Sequence, residues 1–307
     1  MPFNASACPA GVRRPMLGPN EMDGLFNALA QRADLKPRVL SADPWVLQFD
    51  SWTSIAEARA LADGSPSFQP DITGSALKST RNAKYRNSSS YACDLRHRCA
   101  SNPAFARHAA RMEQLLGVPL RHGDGIHVLK YHPGGFYRRH HDYVLGDTLS
   151  WLHCGPRQLT FMLYLSSLPD DGGGGTSFFH LGINVKPVAG RAVLWANTFP
   201  EAPLRKDERT AHEALTVLRG IKYSATTWLH AHDIASNKAN RCCPPPGRPP
   251  ATMPAELKAS WDQRVPYARQ RRAARRGTAA RGRPKRRGRA TGWRWSRPGR
   301  ESRRERG

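Results

Sequence analysis

The chain has no run of about 20 apolar residues, the length an α-helix needs to cross a bilayer, so no membrane-spanning helix is expected anywhere in its 307 residues. Its opening, MPFNASACPAGVRRPMLG, lacks the apolar stretch of about 7–15 residues at the centre of a secretory signal. Read literally, that describes a protein made in the cytosol; a wrong or truncated start is the alternative. Six cysteines are too few for a disulfide scaffold, and none stands at zinc-site spacing. Cys93 and Cys99 are close enough to bridge across a short loop, whereas the adjacent Cys242 and Cys243 read as exposed thiols on a linker. Acidic residues are scarce too, 24 against 48 Lys and Arg. That imbalance is local. From Arg264 to Gly307, eighteen Lys and Arg face only two Glu, so sixteen of the 24 surplus positive charges sit in this one segment. The rest of the chain is no more basic than an ordinary soluble enzyme, and the charge says little about an active site.

What is present falls into three parts: a leader over residues 1–35, partly helical; a folded domain over 36–235; and a Pro-rich linker with a disordered Arg-rich tail over 236–307. Helical patterns dominate the first 120 residues. Glu21 to Leu35 reads as a short helix, and Ser51 to Leu61 as another capped by Ser51 or Thr53. Asn102 to Leu116 is a third, with Pro103 in its first turn and Gly117-Val118-Pro119 ending it. Arg38 to Phe49 reads as strand with a turn at Asp43-Pro44. From Gly125 the period changes to short apolar or alternating segments: Ile126–Tyr131, Phe136–Asp142, Gln158–Ser166, Thr176–Leu181, Arg191–Trp195, Ala214–Leu218 and Tyr223–Leu229. Pro/Gly/Asp turn signals separate them. Leu159 to Leu165 is apolar on both faces and reads as the central strand. The pattern predicts an all-β core with flanking helices, a double-stranded β-helix or jelly roll, with the early helices covering one sheet.

The stretch from Tyr131 to Lys222 carries the chemistry. YHPGGFYRRHHD places His140 and Asp142 two residues apart, so on a strand both point to one face. Two imidazoles and one carboxylate on one face of a metal form the facial arrangement of non-haem Fe(II), which leaves the opposite positions open. His212 on a later strand would supply the third ligand, and Lys222 follows ten residues on. An HxD pair alone is a weak signal among twelve histidines; the order of the four residues on strand-like segments strengthens it. His141 is expected to face away into solvent, and His230 and His232, at the end of the last strand, are expected to be exposed.

YHPGGFYRRHHD (131–142), RQLTFMLYLS (157–166), GGGTSF (173–178), VKPVAGRAVLWAN (185–197), and His212 followed by GIKYSATTW (220–228) together resemble the 2-oxoglutarate- and Fe(II)-dependent dioxygenase family. Within it they are similar to prolyl 4-hydroxylase catalytic domains. The resemblance implies that His140, Asp142 and His212 ligate Fe(II) and that Lys222 pairs with the distal carboxylate of 2-oxoglutarate. Tyr131 and Thr176 would reach the same carboxylate, though on strands both residue types also serve as packing. Trp228 would lie near a peptide substrate or else in the core, and Arg86 to Ser88 resembles the edge of the peptide groove. The co-reactants implied are O2 and L-ascorbate, and the partner is a proline-containing peptide or protein. The residues between Asp142 and Arg157, with Trp151, His153 and Cys154, would form a substrate lid. Where the family usually has Gly-Gly-Glu-Thr, this chain has Gly173-Gly174-Gly175-Thr176, so a looser loop is expected. The resemblance points to the endoplasmic reticulum lumen, in tension with the opening residues. Two rival readings remain: the same chemistry on a non-prolyl or small-molecule substrate, and a nucleic-acid-binding protein acting through the basic tail. The second leaves the iron and co-substrate constellation unexplained, so nucleic acid is not the expected partner. Oligomeric state is not legible.

Overall fold

A computed structural model describes residues 15–71, 84–94, 98–143 and 155–234. The expectations for the first 14 residues, the segment carrying Trp151, His153 and Cys154, Cys242 and Cys243, and the Arg-rich tail lie outside these described residues. Among the described residues, no helix is long and apolar enough to cross a membrane.

The elements run in chain order as α1 (Glu21–Ala30), β1 (Arg38–Ala42), β2 (Trp45–Phe49), α2 (Ile55–Asp63), β3 (Gln69–Pro70), β4 (Arg86–Asn87), β5 (Ser89–Cys93), α3 (Pro103–Leu116), β6 (Ile126–Tyr131), β7 (Phe136–His140), β8 (Arg157–Tyr164), β9 (Thr176–Phe178), β10 (Ile183–Val185), β11 (Ala192–Ala196), β12 (His212–Ala214) and β13 (Lys222–His230). The strands form an eight-stranded sheet, ordered β1-β2-β11-β8-β13-β6-β5-β3, and a five-stranded sheet, ordered β10-β9-β12-β7-β4. From β6 onward the antiparallel partners nest first with last: β6 with β13, β7 with β12, β8 with β11, and β9 with β10. One long two-stranded ribbon wound so that alternate pairs fall in opposite sheets is the jelly roll that the sequence pattern predicts.

The strand period sorts the core into two layers. On β8, Leu159, Phe161 and Leu163 join the cluster that includes Met22, Phe26, Phe105 and Met112 from α1 and α3, while Met162 and Tyr164 join Val46, Phe178, Val193 and Trp195 between the sheets. The central strand is therefore buried on both faces. On β13 the same alternation sends Ala225 and Leu229 to the helix side and leaves the even-numbered residues from Lys222 onward for the interior of the roll.

Each helix has a local cause. In α3 the Asn102 side chain accepts from the Ala104 N–H at 2.9 Å, Pro103 occupies the first turn, and Gly117 closes the helix at φ 64°, the left-handed conformation that glycine adopts at least cost. The α2 cap is Ser54, not Ser51 or Thr53. Its side chain accepts from the Glu57 N–H, and Glu57 reaches back to the Ser54 N–H. This capping box is worth more than a lone hydroxyl one or three residues earlier. Helix α1 stops at Ala30 rather than Leu35, with Gln31 at its C-cap.

Two strand assignments shift and one strand is new. The segment expected at Ala214–Leu218 is β12, His212–Ala214, and Val217 instead joins Gly135 and Gly134 through backbone bonds. Thr176–Leu181 ends at Phe178, and the chain turns through Gly182 into β10, three residues too short to carry a readable period. The Cys93 and Cys99 sulfurs are bonded.

Candidate metal and co-substrate site

His140 closes β7 and His212 opens β12, and the two are direct partners across the small sheet. Asp142 lies just past β7, 5% exposed. Its two carboxylate oxygens stand 3.6 Å from His140 Nε2 and 3.6 Å from His212 Nε2. Among the described residues this trio alone brings three potential ligand atoms within 4.8 Å of one another. The imidazoles are oriented from behind: His140 Nδ1 is 2.9 Å from the Arg138 carbonyl and His212 Nδ1 is 3.0 Å from the Thr210 carbonyl. A carbonyl on Nδ1 fixes the proton there and leaves the Nε2 lone pair facing the carboxylate, the usual support of a metal-ligating histidine. Tyr137 stacks on His140 at 3.5 Å between ring centroids, and Trp195 meets His212 edge-on at 4.8 Å.

The carboxylate is held by a buried relay that the sequence pattern does not reveal. The Thr160 hydroxyl donates to Asp142 at 3.0 Å, the Asn197 amide donates to Thr160 at 2.8 Å, and the Trp195 indole N–H donates to Asn197 at 3.1 Å. Burial alone would raise the Asp142 pKa, but the neighbouring His212, His140 and Arg157 outweigh it and hold the group below its ordinary value. Burial, followed by the charge of His212, pushes His140 down to about 3. At neutral pH the trio thus offers a carboxylate and a deprotonated His140 imidazole, the states a metal requires. An imidazole–carboxylate–imidazole set suits non-haem Fe(II).

Lys222 opens β13 opposite Tyr131 of β6 and is 1% exposed. Its Nζ lies 5.1 Å from the Tyr131 ring and 5.4 Å from the Tyr164 ring. Burial lowers its pKa to about 7, and among the described residues no carboxylate forms an ion pair with it. A buried ammonium without a counter-charge is costly, so this pocket fits an anion. Thr176, 3% exposed, lies beside it: the Tyr164 hydroxyl is 2.7 Å from Thr176 Oγ1 and 2.9 Å from the Val185 carbonyl. Tyr164 was legible only as a core residue of β8, yet it completes the wall around the lysine. The expected looseness at Gly175 is absent. A Cβ there would collide with the Asn184 side chain, which fills the space, and Gly175 O and Gly174 N bond to Leu215 N and Thr216 O. Gly174, at φ 69°, lets the loop close against the Lys222 stem.

Arg86 on β4 pairs with Tyr137 on β7. Its guanidinium binds Asp71 at 2.9 Å and Ser88 at 2.7 Å and covers the Tyr137 ring at 4.3 Å. It therefore backs the ring that stacks on His140. Trp228 is half-buried, with its ring 4.8 Å from His127 and the Arg157 guanidinium 4.0 Å above it. Arg157 Nε is buried without a hydrogen-bond partner, and the charge of Arg157 and a hydrogen bond from the Trp228 side chain help keep Asp142 ionised.

Two histidines differ from expectation. His141 does not face solvent: its Nε2 lies 2.7 Å from the Asp207 carbonyl and 3.1 Å from Thr210 Oγ1, tying the end of β7 to the residues before β12. His230 is 1% exposed, since Gly155 and the Gly123 bridge to Leu229 close over the strand end. It sits 3.7 Å from Asp124, which also binds Arg157 at 2.7 Å. His232, also expected to be exposed, is half-buried. The even spacing of Lys222, Trp228 and His230 on one strand was the available signal for the buried position of His230.

A family model described as the 2OG-Fe(II) oxygenase superfamily matches residues 126–230. Prolyl 4-hydroxylase 1 of Arabidopsis thaliana is 32% identical over 216 residues, 66% of this chain and 74% of that protein. The prolyl 4-hydroxylase subunit alpha-1 of Homo sapiens is 33% identical over 132 residues, 42% of this chain and 24% of that protein, so the chain spans about a quarter of that subunit. Among solved structures, a Pseudomonas putida prolyl-4-hydroxylase aligns with 21% identity and a TM-score of 0.46, covering 69% of this chain and 99% of that one. With a fold, a donor set and an anion pocket that agree with the sequence relationship to the Arabidopsis protein, the chain belongs to the 2OG-Fe(II) oxygenase superfamily and is a 2-oxoglutarate-dependent dioxygenase.

Proposed function

We propose that this enzyme hydroxylates peptidyl proline at the 4-position, with His140, Asp142 and His212 as the iron ligands and Lys222 as the partner of the distal 2-oxoglutarate carboxylate. The observation that carries the assignment is the placement of the His–Asp–His trio and an uncompensated buried lysine within one roll of strands. Bound Fe(II) and 2-oxoglutarate supply, with O2, the oxidative decarboxylation to succinate and CO2 that drives hydroxylation of a C–H bond, with L-ascorbate as the reductant that rescues oxidised iron. The chain's own part is orientation. Lys222 neutralises the distal carboxylate, Tyr131 and Thr176 border it, and Thr160 and Asn197 hold Asp142. Trp228 and Arg157 help to hold Asp142 ionised. Arg86 acts on the peptide edge through Tyr137. An extended polyproline II peptide, whose carbonyls are free and whose ordering cost is already small, is the natural occupant. The sequence relationship to prolyl 4-hydroxylases supports proline as the target, and the bonded Cys93–Cys99 pair supports work in an oxidising compartment such as the endoplasmic reticulum lumen.

Mass spectrometry of proline-rich peptides incubated with enzyme, Fe(II), 2-oxoglutarate and ascorbate is expected to find one added oxygen on proline C4. Oxygen on another residue type, with none on proline, would replace the prolyl reading by the same chemistry on a different substrate.

The relay behind Asp142 gives a second expectation. Asn197→Ala removes the donor to Thr160 and leaves the Trp195 N–H unmet in the core. Loss of such outer support costs metal affinity by about 10–100-fold, and the orphaned donor costs about 1–3 kcal/mol of stability. Metal titration and a urea midpoint on the same variant read both effects; unchanged metal affinity would remove the positioning role.

A further inference from the structure

Helices α2 and α3 leave between them a groove of about 380 Å³, within the size range of small-molecule sites. It lies on the helix-covered side of the large sheet. Glu57 borders it from α2, Arg107, His108, Arg111 and Gln114 from α3, and Trp52 from the loop before α2. The α3 stripe facing the core is Phe105, His108, Met112, Leu115 and Leu116, so a histidine stands where the helical period asks for an apolar side chain. It is 7% exposed, packs against Phe161 at 6.0 Å between ring centroids, and makes no side-chain hydrogen bond among the described residues. Trp52, 1% exposed, has its indole Nε1 buried with no hydrogen-bond partner.

Buried polar groups in folded proteins are almost always paired, and the unpaired indole N–H of Trp52 beside this groove needs an explanation. The charge of Arg111 helps to keep Glu57 ionised, but no ion pair among the described residues commits it. The Arg111 guanidinium stands 4.5 Å over the Trp52 ring, Arg107 is one helical turn earlier, and neither forms an ion pair among the described residues. One oxygen of the groove's single carboxylate is already engaged. Glu57 accepts from the Thr53 hydroxyl at 2.6 Å and the Ser54 N–H at 3.0 Å, bonds that hold its pKa down at about 2. Burial keeps His108 near 4, hence neutral with one N–H to donate. Two guanidiniums face one carboxylate, so positive charge is in excess at the groove.

We propose that the α2–α3 groove is a binding site for a small organic oxyanion, a carboxylate or a phosphate, taken between the Arg107 and Arg111 guanidiniums with the N–H groups of Trp52 and His108 beneath. Phe161, which both Trp52 and His108 touch, points to the helix side of β8, whereas Thr160 beside it points to Asp142. The groove and the iron site therefore lie on opposite faces of one strand, and the two do not compete.

The test uses the full chain, with inorganic phosphate and citrate as separate probes. The readout is the His108 imidazole resonance, assigned by its absence in His108→Gln. At least one probe is expected to shift that resonance saturably. Arg107→Ala/Arg111→Ala should weaken binding by about tenfold or more, the scale of a lost charge-assisted contact, while Lys222→Met leaves it unchanged. Far-UV circular dichroism checks the fold of the double variant, and Arg107→Glu, at an exposed position, gives the same comparison from a single surface change. Saturation by phosphate alone marks a phosphate-bearing ligand, and by citrate alone a carboxylate. No saturable shift with either probe, equal affinity in the arginine variants, or loss of the effect in Lys222→Met would each overturn the proposal.

Discussion

Asp142→Ala is expected to abolish both peptide hydroxylation and 2-oxoglutarate decarboxylation, because it removes the only anionic member of the trio. Two imidazoles remain, and no other carboxylate among the described residues joins them within ligand distance. A divalent metal held by two nitrogens alone loses both a bond and the charge that offsets its burial. The measurable consequence precedes catalysis. A metal that binds only the folded state stabilises it by about 2.7 kcal/mol at a hundred times its dissociation constant, so added Fe(II) or Mn(II) should raise the melting temperature of the wild type and leave that of the variant where it was. The variant should still fold, since Asp142 contributes polar contacts, among them the hydrogen bond from Thr160, and no apolar burial. Normal iron content and turnover in Asp142→Ala would remove the facial-triad reading altogether.

Most strand segments, the central strand and the four residues of the proposed iron and co-substrate pockets were legible because each rests on a local pattern. His140 and Asp142 share a face by their two-residue spacing, and Lys222 begins a long strand of small and β-branched residues. What escaped depends on contacts between distant segments. Nothing near Thr160 or Asn197 distinguishes them from ordinary inward polar residues; their role exists only because β8 and β11 lie side by side behind Asp142. His230 looked exposed because it ends a strand, yet residues around Gly123 and Gly155 cover it. Gly175 looked like a loosened loop because the sequence cannot show that Asn184, nine positions later, fills the gap. The cap of α2 was misplaced for a simpler reason: Ser51, Thr53 and Ser54 all precede the helix, and only Ser54 has a glutamate three residues on to close the box.

Lys222→Met should separate function from stability more sharply than any other change at the site. The lysine touches no metal ligand, so metal binding is expected to persist while the apparent affinity for 2-oxoglutarate falls. Losing one charge-assisted contact costs about 1.5–3 kcal/mol, which is about 10–150-fold. Stability should move the other way. In the ligand-free protein the buried ammonium is disfavoured, and its pKa drops from 10.5 to about 7. Between those values the unfolded chain holds a proton that the folded chain has released, so wild-type stability rises with pH across that window. At or below pH 7 the folded state bears the whole cost of a buried charge. Methionine carries none, and it matches the lysine stem in length. Without co-substrate, Lys222→Met is therefore expected to be more stable than the wild type at neutral pH, with the gap closing as pH approaches 10.5. The tyrosines Tyr131 and Tyr164 around the pocket are also held above their ordinary values by burial, but they are common to both proteins and cancel in the difference. Added 2-oxoglutarate should reverse the order at neutral pH by supplying the missing counter-charge to the wild type alone. Urea midpoints for the two proteins at a series of pH values, with and without 2-oxoglutarate, measure each part. Wild-type affinity in Lys222→Met would end the co-substrate assignment, and a stability gap that does not change with pH would show that the lysine is not carrying its charge at the cost inferred from its burial.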